Sequence, residues 1–578
     1  PERKITSTLR EKFIKKTSEK KVHFSINIAL SGVTEAQHFV TEMKAAGIVL
    51  FQNGNAEHLL KGSLTSEQIY KVATHPYVVL IDNQAPPGEK EDLTARNLHR
   101  TSAIDQQFAQ GLHYDGTGVN VLVRDDGKIG PHIDYQGRTN QYYAKGDGEN
   151  STHGDMVSGI LMGAGNLNPD VSGMARGAFL YITNYESEFT DVTMQLYAQN
   201  NVLVTSSSYS DGCNTGYTMN AQTTDKQIFN NPDLIHVFSA GNSGQNDCNY
   251  GAGAGWGNIT GGHKSGKNSI ATGNVNQNGG IDITSSRGPA YDGRIKPDIC
   301  ANGTDQLSTY PNNTINTGGG TSAAAPGISG SIAQLIHSYR DMNNGATPPS
   351  ALIKASMLNT ATDLGNPGPD FTYGWGLVNT RKAYELLKAK QYKEIDLSDS
   401  EQKEWKISVP NGTASLRVMV YWADKEASVL ATKALVNDID MQVISEDNTM
   451  YLPYVLDNTP DPVKLSSPAK TGSDHLNNME QVEIFNPSQG DYTVQLYGFQ
   501  IPFGTVKAWL VYEMSSTTPV LTYPNGGESF NPGENIYIHW DAIGNTGNYT
   551  IDYSADNGKS WNQVKTVRSE EHTSELQS

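Results

Sequence analysis

Four short segments of this chain carry residue types that together support nucleophilic acyl transfer. A strand-like run ends at Asp125, and a helical run opens at His153. A Gly-flanked turn contains Asn242, and a long helical run opens at Ser322. A serine hydroxyl is a weak nucleophile until a histidine takes its proton, and a carboxylate must hold that histidine in the correct tautomer. The four segments therefore predict a serine-nucleophile site.

The positions of Ser322 and Asn242 strengthen this prediction. A serine at a helix start lies near free backbone N–H groups and the positive end of the helix dipole, and both favour a developing oxyanion. The amide of Asn242 could donate a second hydrogen bond to that oxygen. The ordinary alternatives are that Ser322 only caps its helix and that Asn242 only occupies a left-handed turn.

Three further residues each have more than one possible role. Asp126 directly follows Asp125 and is the alternative carboxylate. Ser208 follows a strand-like run and could contact the substrate backbone, although polar packing at the strand end would explain it nearly as well. His132 lies in a loop after Asp125, and we expect it to be structural.

The surrounding sequence predicts the elements that must position these residues. Residues 116–387 alternate short apolar strands with helices, which is typical of an α/β fold with a parallel sheet buried on both faces. In such sheets the site lies at the carboxyl ends of the strands. Residues 22–82 follow a β-α-β-β-α-β order, the ferredoxin-like split βαβ pattern, with Thr65 and Gln68 as a helix capping box.

Composition and charge exclude several classes of protein. The 578 residues carry 43 Lys+Arg against 61 Asp+Glu, and the net charge of −18 argues against a nucleic-acid partner. No apolar run is long enough to predict a membrane span. The glycines lack a three-residue period, which excludes collagen.

Three cysteines are too few for a disulfide scaffold or a multi-Cys zinc module. Cys213 and Cys248 lie in loops after neighbouring strand-like runs and could pair in an oxidising compartment. Cys300 lies in an apolar run, and we expect it to be a buried free thiol.

These motifs resemble those of the subtilisin-like serine proteases, the subtilase family, in which the catalytic residues follow the order Asp, His, Ser. GTSAAAP around Ser322 is similar to the family's Gly-Thr-Ser-Met-Ala-x-Pro, and THGDMV around His153 to its His-Gly-Thr-x-Val-Ala-Gly. VLVRDDG is similar to Val-x-Val-x-Asp-Ser/Thr-Gly; choosing Asp125 places the Gly two residues on, as in the family. Further runs resemble the branch with a C-terminal β-sandwich: SSRGP, DGRIKPDI, YGWGLVN, LVNDIDM and NNMEQVEI.

The resemblance implies a secreted or cell-surface serine endopeptidase that is made as a zymogen and hydrolyses polypeptides. It assigns Ser322 as nucleophile, His153 as general base and then acid, and Asp125 as the orienting carboxylate. Asn242 and the Ser322 N–H would bind the oxyanion. We expect a monomer that needs no cofactor for its chemistry. Two alternatives are a catalytically silent adhesion or binding protein on this scaffold, and a processing protease of narrow specificity.

The resemblance also implies a domain organisation. An N-terminal propeptide, inhibitory toward its own enzyme, precedes the catalytic domain, and β domains follow it. The final segment, RSEEHTSELQS, resembles translated sequencing-adapter DNA, which we expect to be an artefact. The expected bounds are 1–90 for the propeptide, 95–390 for the α/β domain, 391–515 for a β-sandwich, 519–567 for an incomplete Ig-like β module, and 568–578 for the artefact.

The chain departs from the family pattern at a few positions. Ala323 stands where Met is usual, Gly327 where His is usual, Asp155 where Thr is usual, and Asp126 where Ser or Thr is usual. None of these changes removes a catalytic atom, although the additional acids could shift the pH optimum.

Structural calcium is a further expectation, because subtilases often bind it and calcium prefers oxygen ligands. Asx turns are the alternative role for the same residue types. The candidate ligands lie on the two sandwich motifs: Asn437, Asp438, Asp440, Asp474, Asn477, Asn478 and Glu480.

Overall fold

The computed structural model forms two compact units, Pro1–Glu89 and Lys90–Ser578, and each is described by itself. The residues that the structure describes are 2–6, 9–10, 23–31, 36–53, 56–83, 91–106, 108–146, 152–185, 189–209, 212–213, 216–528, 530, 535–542, 548–568 and 573–577.

Among its described residues, the first unit has an antiparallel sheet and helices. Its elements are β1 (His23–Leu30), α1 (Ala36–Ala45), β2 (Phe51–Asn53), β3 (Ala56–Thr65), α2 (Ser66–Ala73) and β4 (Val78–Asn83), after a 3₁₀ turn at Glu2–Lys4. The sheet order is β2-β3-β1-β4, which confirms the predicted ferredoxin-like pattern. The capping box of α2 is confirmed too: Thr65 Oγ1 accepts from Gln68 N, and Thr65 N donates to Gln68 Oε1.

This unit has its own hydrophobic core. Alternate residues of β1, including Ile26 and Ile28, are buried, because successive strand side chains point to opposite faces. Phe39 of α1 and Ile69 of α2 are buried in the same cluster. The polar stretch NQAPPGEKED that follows Asp82 is typical of a linker, and most of it lies outside the described residues, at 84–90.

The second unit is built on a seven-stranded parallel sheet, in the order β11-β10-β9-β8-β5-β7-β6. Its strands, mostly short and fully buried as predicted, are β5 (Asn120–Asp125), β6 (Thr139–Asn140), β7 (Phe179–Asn184), β8 (Val202–Ser207), β9 (Ile235–Ser239), β10 (Ile270–Val275) and β11 (Ile299–Asn302). The α/β fold class is thereby confirmed. Since β5 pairs with both β7 and β8, the chain reverses its direction across the sheet beside β5, the kind of position where open α/β sheets bind ligands.

Helices flank this sheet. They are α3 (Glu91–Leu98), α4 (Thr152–Met162), α5 (Phe189–Asn200), α6 (Met219–Asn230), α7 (Thr321–Met342), α8 (Ser350–Asn359) and α9 (Thr380–Lys388). Helix α7 is buried along most of its length and packs on α4 and the central strands. Pro326 is the sixth residue of α7 and lies inside the helix, so the Ser322 carbonyl oxygen receives no N–H from position 326 and instead accepts from Ser208 Oγ.

Residues after 390 form antiparallel sheets, as the strand pattern predicted. Two four-stranded sheets, ordered β14-β23-β16-β21 and β15-β22-β17-β18, share a core that contains Trp422, Val443 and Leu496. Their strands are β14 (Tyr392–Ser398), β15 (Gln402–Val409), β16 (Thr413–Trp422), β17 (Asp438–Ile444), β18 (Met450–Tyr451), β21 (Met479–Phe485), β22 (Gly490–Gln500) and β23 (Thr505–Ser516).

Smaller elements complete the unit: the hairpin β12 (Gln306–Tyr310) and β13 (Thr314–Gly318), the pair β19 (Tyr454–Val455) and β20 (Lys470–Thr471), α10 (Pro462–Leu465), and the terminal strands β24 (Val520–Tyr523), β25 (Asn535–Asp541), β26 (Asn548–Tyr553), β27 (Asn562–Arg568) and β28 (Thr573–Gln577). Three-residue 3₁₀ turns lie at Ile133–Tyr135, Pro169–Val171 and His263–Ser265. β28 lies within the suspected artefact and pairs with β25; the origin of that segment stays a prediction.

No helix among the described residues is both long and apolar enough to cross a bilayer.

A buried ion pair fastens the antiparallel sheets to the α/β core. Lys267 Nζ lies 2.5 Å from Asp424 Oδ2 and 2.7 Å from the Ala434 carbonyl oxygen, and both charged side chains are fully buried. The other Asp424 oxygen accepts backbone and side-chain N–H groups of Asn437. Removing one partner of such a pair leaves an uncompensated charge in a low-dielectric interior.

We therefore expect Asp424→Ala to lower the free energy of unfolding by about 3–5 kcal/mol. The matched control is Glu394→Ala, which breaks the exposed pair with Lys507 and should cost less than about 1 kcal/mol. Thermal and denaturant unfolding of both variants would measure the difference. Equal, small effects would show that the buried pair does not secure this contact.

Candidate active site

Three adjacent strands deliver side chains to one edge of the parallel sheet. β5 ends at Asp125, β8 ends just before Ser208, and β9 ends just before the turn that contains Asn242. These strands are neighbours in the order β9-β8-β5. Because parallel strands share the same carboxyl edge, residues far apart in sequence meet there.

His153 and Asp125 form the central contact of this edge. His153 Nδ1 lies 2.6 Å from Asp125 Oδ1. The aspartate side chain is 2% exposed, whereas the imidazole is 41% exposed. A buried carboxylate on Nδ1 fixes the ring orientation and leaves Nε2 to accept a proton.

Burial and charge oppose each other in this pair. Burial alone would lower the pKa of His153, but the hydrogen bond and charge of Asp125, followed by the charge of Asp126, raise it overall. Burial raises the pKa of Asp125, and the contact with His153 offsets part of that rise.

Asp126 contacts the backbone of His153 and not its ring nitrogen. Its Oδ2 accepts from His153 N at 3.1 Å, and its Oδ1 accepts from Gly154 N at 2.8 Å. A Cβ at Gly154 would lie 2.8 Å from Asp126 Oδ1, so a glycine is needed for this approach. Of the two candidate carboxylates, the structure brings Asp125 to the imidazole.

Ser322 lies in the first turn of α7 and is paired with Ser208. Ser208 Oγ donates to the Ser322 carbonyl oxygen at 3.0 Å, and Ser322 Oγ donates to the Ser208 carbonyl oxygen at 3.2 Å. Within the described part of the chain, the Ser322 hydroxyl makes this bond and not one to His153. Catalytic hydrogen bonds are often long or misaligned before substrate binds.

Asn242 lies against the turn that precedes Ser322. Its Oδ1 accepts from Thr321 N at 3.0 Å and from Thr321 Oγ1 at 2.9 Å. Gly320 has φ +88°, and a Cβ there would lie 3.0 Å from Asn242 Nδ2. The two bonds to Thr321 fix the amide, and the exposed Asn242 side chain keeps its N–H donors beside the Ser322 turn.

The departures from the family pattern have local explanations. A Cβ at Gly327 would lie 2.7 Å from His99 Cε1, so the buried His99 ring occupies that space. His99 Nε2 accepts from Asn302 N, and burial lowers the pKa of His99 to about 3. Asp155 is buried and accepts from Gly130 N, and burial raises its pKa to about 8.

The expected structural residues behave as predicted. His132 is buried, and its Nδ1 accepts from Asp134 N at a short 3₁₀ turn. Cys213 and Cys248 are joined in a disulfide, and Cys300 is a buried free cysteine.

The structure divides the candidate metal ligands into two groups. Asp438 and Asp440 group with His475, a residue that the sequence patterns did not single out, and their ligand atoms lie within 4.8 Å of one another. Asp474 instead accepts from Leu476 N and Asn477 Nδ2 and so closes a turn. The only signal for His475 was its position next to Asp474.

Comparison with known proteins agrees with this geometry. The sequence model of the subtilase family matches residues 116–376, which contain all four predicted site residues. Subtilisin DY of Bacillus licheniformis is 28% identical over 289 residues, which cover 48% of this chain and 94% of that protein. Subtilisin E of Bacillus subtilis is 27% identical over 299 residues, covering 48% of this chain and 70% of that protein.

A longer relative matches only in part. The serine protease/ABC transporter B family protein tagA of Dictyostelium discoideum is 26% identical over 276 residues, which cover 41% of this chain and 16% of that protein. The region that the family model matches contains the strands of the parallel sheet, with the Asp and Ser segments at one sheet edge. Over residues 116–376 the chain is therefore similar to the subtilase family, and its relatives include proteins named as subtilisins.

Proposed function

We propose that Asp125, His153 and Ser322 form the catalytic triad of a secreted enzyme that is made as a zymogen and cleaves peptide bonds. The observation that carries the proposal is the 2.6 Å contact between His153 Nδ1 and the buried Asp125 carboxylate. It lies at the sheet edge where α7 presents Ser322. The same contact is what a general base needs in order to take a proton at Nε2.

The acylation step uses these groups in sequence. Substrate binding turns the Ser322 hydroxyl from the Ser208 carbonyl toward His153 Nε2. Oγ attacks the peptide carbonyl carbon as its proton passes to Nε2, and Asp125 stabilises the imidazolium. His153 then protonates the leaving amine, and water repeats the cycle on the acyl-enzyme.

Asn242 and the backbone N–H of Ser322 would stabilise the tetrahedral oxyanion. The Thr321 contacts hold Oδ1 of Asn242, which orients Nδ2 as the donor. A preorganised donor of this kind acts mainly in the transition state. Ser208 would act by holding the Ser322 backbone, through the 3.0 Å bond to its carbonyl; direct contact with substrate is the alternative.

The state of His153 sets the acidic limit of activity. As the base it must be neutral, so activity falls as the pH drops through the pKa of His153. Because Asp125 and Asp126 raise that pKa, we expect the limit to lie above that of an isolated histidine.

The alternative is a catalytically silent adhesion or binding protein on the same scaffold. It would require the triad residues to be present but to have no catalytic role. The ordered contacts of all three residues and of Asn242 favour an active enzyme. A processing protease of narrow specificity has the same chemistry, and a cleavage profile on a peptide library would separate it from a degradative enzyme.

Ser322→Ala should abolish peptidase activity and leave the fold intact, because the nucleophilic oxygen is lost. The expected fall in kcat is on the order of a millionfold, since triad members act as a unit. The matched control is Ser329→Ala, which removes a buried hydroxyl on the same helix and should keep activity. Casein hydrolysis with melting temperatures on the same preparations is the measurement; a Ser322→Ala enzyme near the wild-type rate would contradict the assignment.

The N-terminal unit is proposed as the inhibitory propeptide. It is compact, has its own core and precedes the protease region in the chain. Cleavage within 83–95 would release it. Secretion is supported by the Cys213–Cys248 disulfide, because disulfides persist mainly in oxidising compartments.

Residues 1–90, added in trans to processed enzyme, should inhibit peptide hydrolysis with an affinity at or below the micromolar range. Ile26→Asp, which places a charge in the core of this unit, provides an unfolded control that should not inhibit. Steady-state rates against inhibitor concentration measure the effect. Full activity at micromolar excess of the folded unit would refute the propeptide role.

A structural divalent cation, for which calcium is the best candidate, is proposed on the β-sandwich. Buried oxygens of Asn437, Asp438, Asp440 and Glu480 have no hydrogen-bond partner among the described residues. Glu480 uses its other oxygen to accept from Met441 N of strand β17, which belongs to the other sheet of the sandwich. Unpartnered buried oxygens are costly, and a hard cation would satisfy them.

Calcium should therefore raise the melting temperature relative to EDTA, and Asp438→Asn should remove that increase. Thr471→Ala, an exposed substitution outside the group, is the control. Zinc in place of calcium tests whether His475 directs the metal choice. If neither ion changes the melting temperature, Lys433 and His475, which lie 3.3 and 3.2 Å from Asp438 Oδ2, neutralise the group instead.

A further inference from the structure

Asp126 provides a second carboxylate beside the proposed triad. It immediately follows Asp125, yet both of its oxygens are directed to the start of helix α4. Oδ2 accepts from His153 N and Oδ1 from Gly154 N, at 3.1 and 2.8 Å. Two adjacent residues, the last of β5 and the first of the loop after it, therefore hold His153 at two points: Asp125 holds the ring, and Asp126 holds the backbone.

Helix starts leave their first N–H groups without partners inside the helix. In α4 these donors include those of His153 and Gly154. A carboxylate that accepts from them satisfies orphan donors and places a negative charge at the positive end of the helix dipole. Here the cap comes from another part of the chain, and the capped residue is the proposed general base.

A third contact closes this arrangement. The backbone N–H of Asp126 donates to Asp125 Oδ1 at 2.9 Å, and the same oxygen contacts His153 Nδ1. If residues 125–126 rotated or moved away, the contact of Asp125 with the His153 ring and the contacts of Asp126 with the backbone of α4 would be disturbed together. Gly154 has no Cβ, which is what lets Asp126 Oδ1 approach this closely.

We propose that Asp126 is a positioning residue for catalysis: by capping α4 it fixes the backbone of His153, and its charge favours the imidazolium formed during the reaction. This inference rests on the proposed triad. Asp126 does not touch the reacting atoms, so it acts through His153. Its charge is among those that raise the pKa of His153, after those of Asp125.

The charges that raise the pKa of His153 come from two carboxylates. Asp125 acts from β5 and Asp126 from the loop that follows it. On α4 itself, the Asp155 carboxylate accepts from Gly130 N, while the Tyr135 hydroxyl donates to the Asp155 backbone carbonyl. Tyr310 is the further titratable group beside Asp155.

Two substitutions separate the cap from the charge. Asp126→Ala removes both, whereas Asp126→Ser keeps one hydrogen-bond acceptor and removes the charge. We expect Asp126→Ala to lower kcat/KM roughly 10- to 100-fold, the scale for a misplaced catalytic group. Asp126→Ser should lose less. In both variants the acidic limb of the kcat/KM–pH profile should move to lower pH, because a charge that favours protonated His153 is gone.

The matched control is Asp134→Ala. Asp134 is also buried and accepts backbone N–H groups, those of Gly165 and Asn166, beyond the opposite end of α4. Its loss should lower the melting temperature but leave the acidic limb in place. A limb that moves equally in this variant would mean that the effect is general destabilisation, and the inference would be wrong.

The remaining outcomes are equally decisive. Folded Asp126 variants with wild-type kcat/KM and an unchanged limb would overturn the positioning role while leaving the triad standing. If Asp126→Ala does not fold, Asp126→Ser provides the same pH readout. A wild-type enzyme without Ser322-dependent peptidase activity would instead overturn the proposed function itself.

Discussion

The contact between His153 Nδ1 and Asp125 Oδ1 is the interaction on which the proposed active site depends. A histidine can act as a base for a serine only if its ring is held in one tautomer and one orientation. Here the holding carboxylate is buried at the end of a central strand, while the imidazole ring is partly exposed. Burial makes the contact strong, and exposure leaves Nε2 accessible to substrate.

The fold explains how residues so distant in sequence reach one place. Because β9, β8 and β5 are neighbours in the parallel sheet, their carboxyl ends bring Asn242, Ser208 and Asp125 to one edge. Helix α7 then presents Ser322 to Ser208 from the end of a tight Gly-rich turn. The antiparallel sheets are fixed to this core through the buried Lys267–Asp424 pair.

The sequence predicted the parts of this site that depend on residue type and strand order. Buried apolar strands that alternate with helices specify a parallel sheet, and polar residues at strand ends specify its active edge. The predicted capping box, disulfide pair and buried Cys300 also appear in the structure. These features involve residues that are close in sequence, or they depend on a few residue types, such as cysteine, that have few possible roles.

What could not be predicted depends on close approaches between distant segments. No pattern shows that the His99 ring fills the space beside Gly327, or that Gly154 admits the Asp126 carboxylate. The choice between Asp125 and Asp126 was open in the sequence apart from a resemblance, and distances settle which one contacts the ring. His475 joined the acidic group of the sandwich only through the folding of a loop.

We propose that His153 and Asp125 activate Ser322. The most direct measurement is labelling by a fluorophosphonate, with the modified residue identified by peptide mass spectrometry. We expect one phosphonylated residue, Ser322, and we expect the rapid reaction to be lost when His153 is replaced by Ala. Labelling at another serine, or equally fast labelling of Ser322 without His153, would contradict it.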